Sequence, residues 1–97
     1  MKFEWDEAKR QANIQKHGFD FTDAEEMFRG ILLASPDVRD DYGESRWVGL
    51  GFIRGCTVKV VFSEREPDFI RVISLRKATR RESKEFEKAI NDRLEAN

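Results

Sequence analysis

Residues 69–82 read FIRVISLRKATRRE. From Phe69 to Leu75 the chain is apolar on both faces apart from Arg71 and Ser74, a pattern that suits a central strand better than an edge. Strict alternation puts Arg71 on one face with Phe69, Ile73 and Leu75. The period then changes. Thr79 and Glu82 make a capping box, and Phe86, Ala89, Ile90 and Leu94 form the buried stripe of a closing helix.

Upstream of that strand the pattern is again β. Cys56, Val58, Val60 and Phe62 alternate with Thr57, Lys59, Val61 and Ser63, and Arg46 to Ile53 alternates as well, with Arg54-Gly55 as a tight hairpin turn between the two. Gly49 and Gly51, inside a strand, permit close backbone approach or a bulge. Ile31 to Ala34 is a short apolar run ended by Pro36 and reads as a buried strand, and residues 37–45 are polar and turn-forming. The chain opens with a short strand, Phe3 to Trp5, then a helix capped by Asp6 and closed by Lys16-His17 before Gly18. A shorter helix follows, with Thr22 and Glu25 as its capping box and Gly30 at its C-terminal end. The order is β-α-α-β-β-β-β-α, an α+β arrangement with a mostly antiparallel sheet packed by helices.

Ninety-seven residues leave room for one domain, spanning 1–97, with one modest core. Hydrophobic residues make up 39% and charged residues 38%, with 8 phenylalanines, which excludes a disordered chain and gives a heavily charged surface. The net charge of −1 hides an asymmetry. Residues 1–45 carry 6 basic and 11 acidic side chains, whereas residues 71–93 carry 8 basic and 4 acidic ones. The C-terminal third therefore suits an anion such as RNA phosphate, although interleaved charges also simply solvate a helix. The single cysteine, Cys56, argues against a disulfide-stapled secreted fold. No apolar leader or membrane span is read, and the cytoplasm is the expected compartment.

Several chemistries lack their residues. One histidine and one cysteine cannot supply a typical zinc site, no Walker-type glycine loop precedes a helix, and no G-x-S-x-G is present. No metal or cofactor is expected. What remains is basic. Arg71 stands in an otherwise apolar strand and must reach a carboxylate or look into a cleft. Arg76 and Lys77 end that strand, where groups aimed at a ligand and solvated turn residues are both common. Arg46 opens a strand directly after Glu44, and Lys16-His17 close a helix, where a histidine also serves the helix dipole.

Metal-free RNA cleavage needs only such groups. The ribose 2′-hydroxyl supplies the nucleophile, so the enzyme aligns the chain, moves two protons and stabilises charge on phosphate oxygens. Arginine suits the phosphate because its planar fork binds two oxygens and stays charged, and histidine suits the proton transfer.

Phe3-x-Trp5-Asp6 with Lys9 and Asn13, then Lys16-His17-Gly18 with Phe21 and Ala24, resembles the opening of BrnT-type toxins, a branch of the RelE-like ribonuclease toxins. Gly43-Glu44-x-Arg46 with Gly49, and Arg71-Val72-Ile73-Ser74-x-Arg76-x-Ala78 with Glu82, resemble that family's later signatures. The resemblance runs in order over nearly the whole chain. It implies a RelE-like fold and a ribonuclease activity that suppresses translation. It also implies a cognate antitoxin, typically a ribbon-helix-helix DNA-binding protein, that masks the toxin and carries the complex to operator DNA. The matching basic positions are Lys16, His17, Arg46, Arg71 and Arg76. One departure stands out: Phe86 occupies a position where many relatives are expected to carry tyrosine, either because a hydroxyl role is lost or because the ring is core.

The resulting expectation is a metal-independent endoribonuclease. Arg71, Arg76 and His17 are its catalytic candidates, and Lys16, Arg46 and Lys77 its phosphate contacts. A rival is a non-catalytic module that stabilises the antitoxin and acts as co-repressor. A third, weaker reading is a binder of ribosomal RNA that does not cleave it.

Overall fold

The computed structural model describes residues 1–39 and 43–95, so Asp40, Asp41 and Tyr42 of the expected polar turn lie outside the described residues. The elements are β1 (Lys2–Glu4), α1 (Glu7–His17), a 3-10 turn (Phe21–Asp23) running into α2 (Ala24–Arg29), β2 (Leu33–Pro36), β3 (Trp47–Ile53), β4 (Cys56–Glu64), β5 (Phe69–Lys77) and α3 (Arg80–Glu95). This is the expected α+β order with one 3-10 turn added. The strands form a sheet in the order β1-β5-β4-β3-β2. Every pair is antiparallel except β1 with β5. β5 is therefore flanked on both sides, as its two-faced apolarity demanded.

The first helix is delimited by its caps. Asp6 accepts from the Lys9 amide at 3.0 Å, and Gly18, at φ +76°, donates its N–H to the Ile14 carbonyl. That left-handed conformation suits glycine because a side chain would crowd its own backbone. The second helix starts differently from the sequence expectation. The Thr22–Glu25 capping box does not govern its start, because Asp20 accepts from the Thr22 amide and caps the 3-10 turn that feeds α2. Asp20 also receives Arg10 Nη1 at 2.8 Å, so one carboxylate ties α1 to this turn. The Thr22 amide and then the arginine hold its carboxyl below the usual range. Gly30 does follow the helix, but in extended rather than left-handed backbone.

The Ile31–Ala34 segment is corrected more substantially. The strand runs from Leu33 to Pro36, is exposed throughout and forms the sheet edge. An edge is where proline is tolerated, since one side of the strand needs no amide donor. On β3 the two glycines are the point of closest approach. A Cβ on Gly49 would lie 2.9 Å from Leu32 Cδ1, and one on Gly51 would lie 3.2 Å from Met27 Cε. Small residues here let α2 and the chain after it settle onto the sheet.

The core lies between this face and α1–α2, with Phe21, Met27, Val58, Val60, Phe62, Ile70, Val72 and Leu75 closely packed. Phe28 bridges it edge-on to Phe3 and Phe62, with ring centroids 5.4 and 4.9 Å apart. Each such side chain contributes about 1.5–3 kcal/mol on burial. Cys56 is half-buried against this cluster, consistent with a small apolar role. Arg54-Gly55 forms the hairpin turn with φ +48° and +77°, as expected.

Strict alternation fails in β5, with a large consequence. Val61 pairs with Ser74 but Phe62 pairs with Val72, so Ile73 is an extra residue in a β-bulge. Leu75, Val72 and Ile70 consequently share the core face, all under 7% exposed. Arg71, expected beside Ile73 and Leu75, is instead opposite Ser63 and on the same face as Ser74 and Arg76.

The closing helix begins with the expected capping box. The Thr79 amide donates to Glu82 Oε1 at 2.9 Å, and the Glu82 amide to Thr79 Oγ1 at 3.1 Å. α3 crosses the second face of the sheet, where Phe86 is fully buried with its ring 5.0 Å from Phe52. Ala89 and Ile90 are half-buried. Leu94, expected in the buried stripe, is 67% exposed, because packing against the sheet ends one turn earlier.

Candidate active site

The second face of the sheet, beside α3, gathers three of the six candidate residues, Arg71, Arg76 and Arg46. Register places them in rows across the strands. Arg76 of β5 lies opposite Lys59 of β4, which lies opposite Leu50 of β3. The next row is Ser74, Val61, Val48 and Ser35. Beyond it, Arg71 lies between Glu4 of β1 and Ser63 of β4. The β2–β3 ladder continues through a bond from the Asp37 amide to the Arg46 carbonyl. By alternation from Val48, Arg46 then stands on this same face.

Arg76, Lys59, Arg71 and Arg46 each lie against a carboxylate. Arg76 Nη1 and Nη2 bind the two oxygens of Glu82 at 2.9 and 3.0 Å, a bidentate clamp, and Nη1 also reaches the Lys77 carbonyl at 3.1 Å. Lys59 Nζ lies 3.7 Å from the same carboxylate. The two cations and the Thr79 amide outweigh the partial burial of Glu82, with the Arg76 bonds foremost, and lower its carboxyl to about 2. The clamp engages Nη1 and Nη2, and the side chain stays 33% exposed. Arg71 Nη1 and Arg65 Nε lie 3.7 and 3.6 Å from Glu4, and Arg46 Nε lies 3.5 Å from Glu44. The Arg71 and Arg65 contacts are long and partly exposed, the kind of ion pair worth little in itself.

Lys16 and His17 come from α1. With Lys9 they line a shallow groove against Ile73 and Ser74. Ser74 thus belongs both to this groove and to the row between Arg71 and Arg76. Lys77 is not brought into the cluster. It pairs with Val58, whose side chain is in the core, so Lys77 follows the opposite alternation and ends the strand exposed.

Three contributors were not singled out in the sequence. Lys59 carries the same signal as Arg71, a lone charge in an alternating apolar strand. Glu82 was read as a cap and within the family signature, whereas it also organises Arg76 and Lys59. Asn13, noted only within the family signature, is 7% exposed and binds the Leu75 backbone beside the bulge. Phe86, where the resemblance led to the expectation of a tyrosine, is buried. Among the described residues no three His, Cys, Asp or Glu side chains gather as metal ligands.

A family model described as "Ribonuclease toxin, BrnT, of type II toxin-antitoxin system" matches residues 5–82. The chain is similar to the crystal structure, at 1.1 Å, of the Brucella abortus ribonuclease toxin BrnT, with 35% identity and a TM-score of 0.64. The match covers 82% of this chain and 99% of that one. No curated protein sequence matches significantly. Fold and sequence together define a ribonuclease toxin of the type II toxin–antitoxin class. Within that class the chain belongs to the BrnT family. Membership brings an antitoxin as partner. Among the described residues no helix is long and apolar enough to cross a membrane.

Proposed function

We propose that this chain, acting as one domain in the cytoplasm, cleaves RNA endonucleolytically without a metal and so inhibits translation. The ribose 2′-oxygen forms a bond to the adjacent phosphorus while the bond to the 5′-oxygen breaks. The products are a 2′,3′-cyclic phosphate and a 5′-hydroxyl. One proton leaves the 2′-hydroxyl and another reaches the departing oxygen, so a group able to give and take protons is needed.

Arg71 and Arg76 bind and polarise the phosphate oxygens, with Arg46 supporting them, and Lys59 adds charge beside Arg76. His17 is the proton-transfer group and Lys16 a backbone contact. The observation that carries this reading is the bulge at Ile73, which turns Arg71 onto the face of Arg76 and leaves Ser74 between them and the Lys16–His17 groove. Lys77, by its register, contributes at most at the margin.

The antitoxin of this reading is a ribbon-helix-helix protein that covers the basic face and takes the complex to operator DNA. A lost hydroxyl at Phe86 would favour the rival, a non-catalytic co-repressor, but burial of that ring favours a packing role.

The test is cleavage of a defined RNA by the purified, antitoxin-free protein in excess EDTA, with Arg71→Ala alongside. Cleavage leaving 2′,3′-cyclic phosphate, and lost in the variant, supports the reading. No cleavage even with translating ribosomes overturns it in favour of the co-repressor.

A further inference from the structure

We propose that the cleft between β3 and the first turns of α3 seats a guanine base of the RNA, read by the Glu85 carboxylate. This rests on the ribonuclease reading above and adds to it the base that the site selects.

The cleft has a free volume of about 220 Å³. That is below the roughly 300–1,000 Å³ of pockets for drug-sized ligands and suits one planar ring system. Its floor is apolar, made by Val48 and Leu50 with Leu33 at the side, and these side chains keep part of their surface open to solvent. Apolar surface inside an otherwise charged face is where a base can lay its ring.

Lys59 and Glu82 close one end of the cleft, and Lys59 is the strand neighbour of Arg76. β3 stands two strands from β5, or about 10 Å at the usual spacing. That is the kind of span that separates a phosphate held on β5 from the far edge of its own base.

The wall decides what enters. Two carboxylates, Glu82 and Glu85, face a phosphate unfavourably but suit a neutral ring with N–H donors. Glu82 is already committed to Arg76, Lys59 and the Thr79 amide. Glu85 is 62% exposed and among the described residues meets only Arg81, at 3.5 Å along the helix, so it retains acceptor capacity. A carboxylate offers two acceptors side by side. Among the four RNA bases only guanine presents two adjacent donors, N1–H and the N2 amino group, on its pairing edge.

The experiment uses four 2′-O-methyl RNA trinucleotides that differ only in the central base, with binding read by fluorescence anisotropy. Their blocked 2′-oxygens prevent cleavage, so binding is measured separately from chemistry. Wild-type protein is expected to bind the guanine trinucleotide at least tenfold more tightly than the others. In Glu85→Gln, which offers one donor and one acceptor, the preference should collapse or move toward adenine. Equal melting temperatures confirm that this exposed substitution leaves the fold intact. An unchanged ranking of bases in Glu85→Gln, or base-blind binding by the wild type, overturns the proposal and leaves the cleft to another occupant, such as a cationic side chain of a protein partner. Base-blind binding together with cleavage of ordinary RNA removes the guanine site and keeps the ribonuclease. Guanine-selective binding without any cleavage does the reverse.

Discussion

The side-chain amide of Asn13 bonds both backbone groups of Leu75, with Nδ2 donating to the carbonyl at 3.0 Å and Oδ1 accepting from the N–H at 3.2 Å. Nδ2 also donates to the Phe19 carbonyl at 2.8 Å. β1 pairs only with Phe69 to Arg71, so beyond it the outer edge of β5 would be bare. Asn13 continues that edge from α1, two residues past the bulge, and fixes the helix against the strand that carries both arginines.

Asn13→Ala should therefore destabilise the protein by about 2–4 kcal/mol, because it strands buried backbone groups rather than exchanging them for water. Asn13→Asp should be no better, since an ionised carboxylate cannot donate to two carbonyls. Urea unfolding measures both. A loss below about 1 kcal/mol in either would mean that water replaces the amide and that the edge does not depend on it.

The bulge makes a prediction that strict alternation reverses. With it, Val72 is core at 2% exposure and Ile73 is half-buried beside α1. Val72→Asp should abolish folding or cost more than about 4 kcal/mol, as an unpaired buried charge does. Ile73→Asp should fold and cost clearly less. Circular dichroism and melting of the pair decide the matter, and the opposite order would place Arg71 back in the core.

Element types were legible because each rests on local rules: capping at Asp6 and at Thr79–Glu82, the Arg54-Gly55 turn, and alternation along β3 and β4. Arg71 was legible as a charge that had to find a partner, and it finds Glu4. Its face was not, since a bulge comes from the pairing of two strands and leaves no mark in either one alone. The start of α2 was misread for a related reason. Asp20 and Thr22 both precede an apolar face and both can cap, and the tie of Asp20 to Arg10 across the turn favours Asp20. Glu82 was visible as a cap, but its hold on Lys59 depends on α3 folding back over the sheet.

Arg71 and Arg76 should separate in stability while agreeing in activity. The Arg71–Glu4 contact is 3.7 Å and partly exposed, so Arg71→Ala should change stability by less than about 1 kcal/mol. Arg76→Ala leaves Glu82 with the Thr79 amide and the longer Lys59 contact, and should cost more, on the order of 2 kcal/mol. On the proposed function each substitution lowers RNA cleavage at least about a hundredfold through lost transition-state charge stabilisation. Melting curves and cleavage rates on the same preparations test this, and two fully active variants would remove both residues from the site.

Phe86→Tyr restores the hydroxyl expected in relatives, but at a fully buried position against Phe52. The added hydroxyl has to be accommodated at a fully buried position, so a cost of about 1–3 kcal/mol and no gain in cleavage are expected. A more active variant of unchanged stability would show that the position opens toward the substrate.

Glu82 predicts how the fold responds to acid. Its carboxyl falls from the ordinary 4.5 to about 2, chiefly through Arg76. A lowered folded-state value means that the unfolded chain takes up the proton first. The stabilisation is thus complete above about pH 4.5 and is lost as pH falls toward 2. After allowance for partial exposure it is worth on the order of 2 kcal/mol. Other carboxylates titrate in the same range, so the useful quantity is the difference between wild type and Glu82→Gln in urea unfolding. That difference should stay level from pH 7 to about 5 and shrink steadily toward pH 2. A difference that ignores pH would mean that the ionised carboxylate, in the Arg76 clamp and in the Thr79 cap alike, contributes nothing to stability.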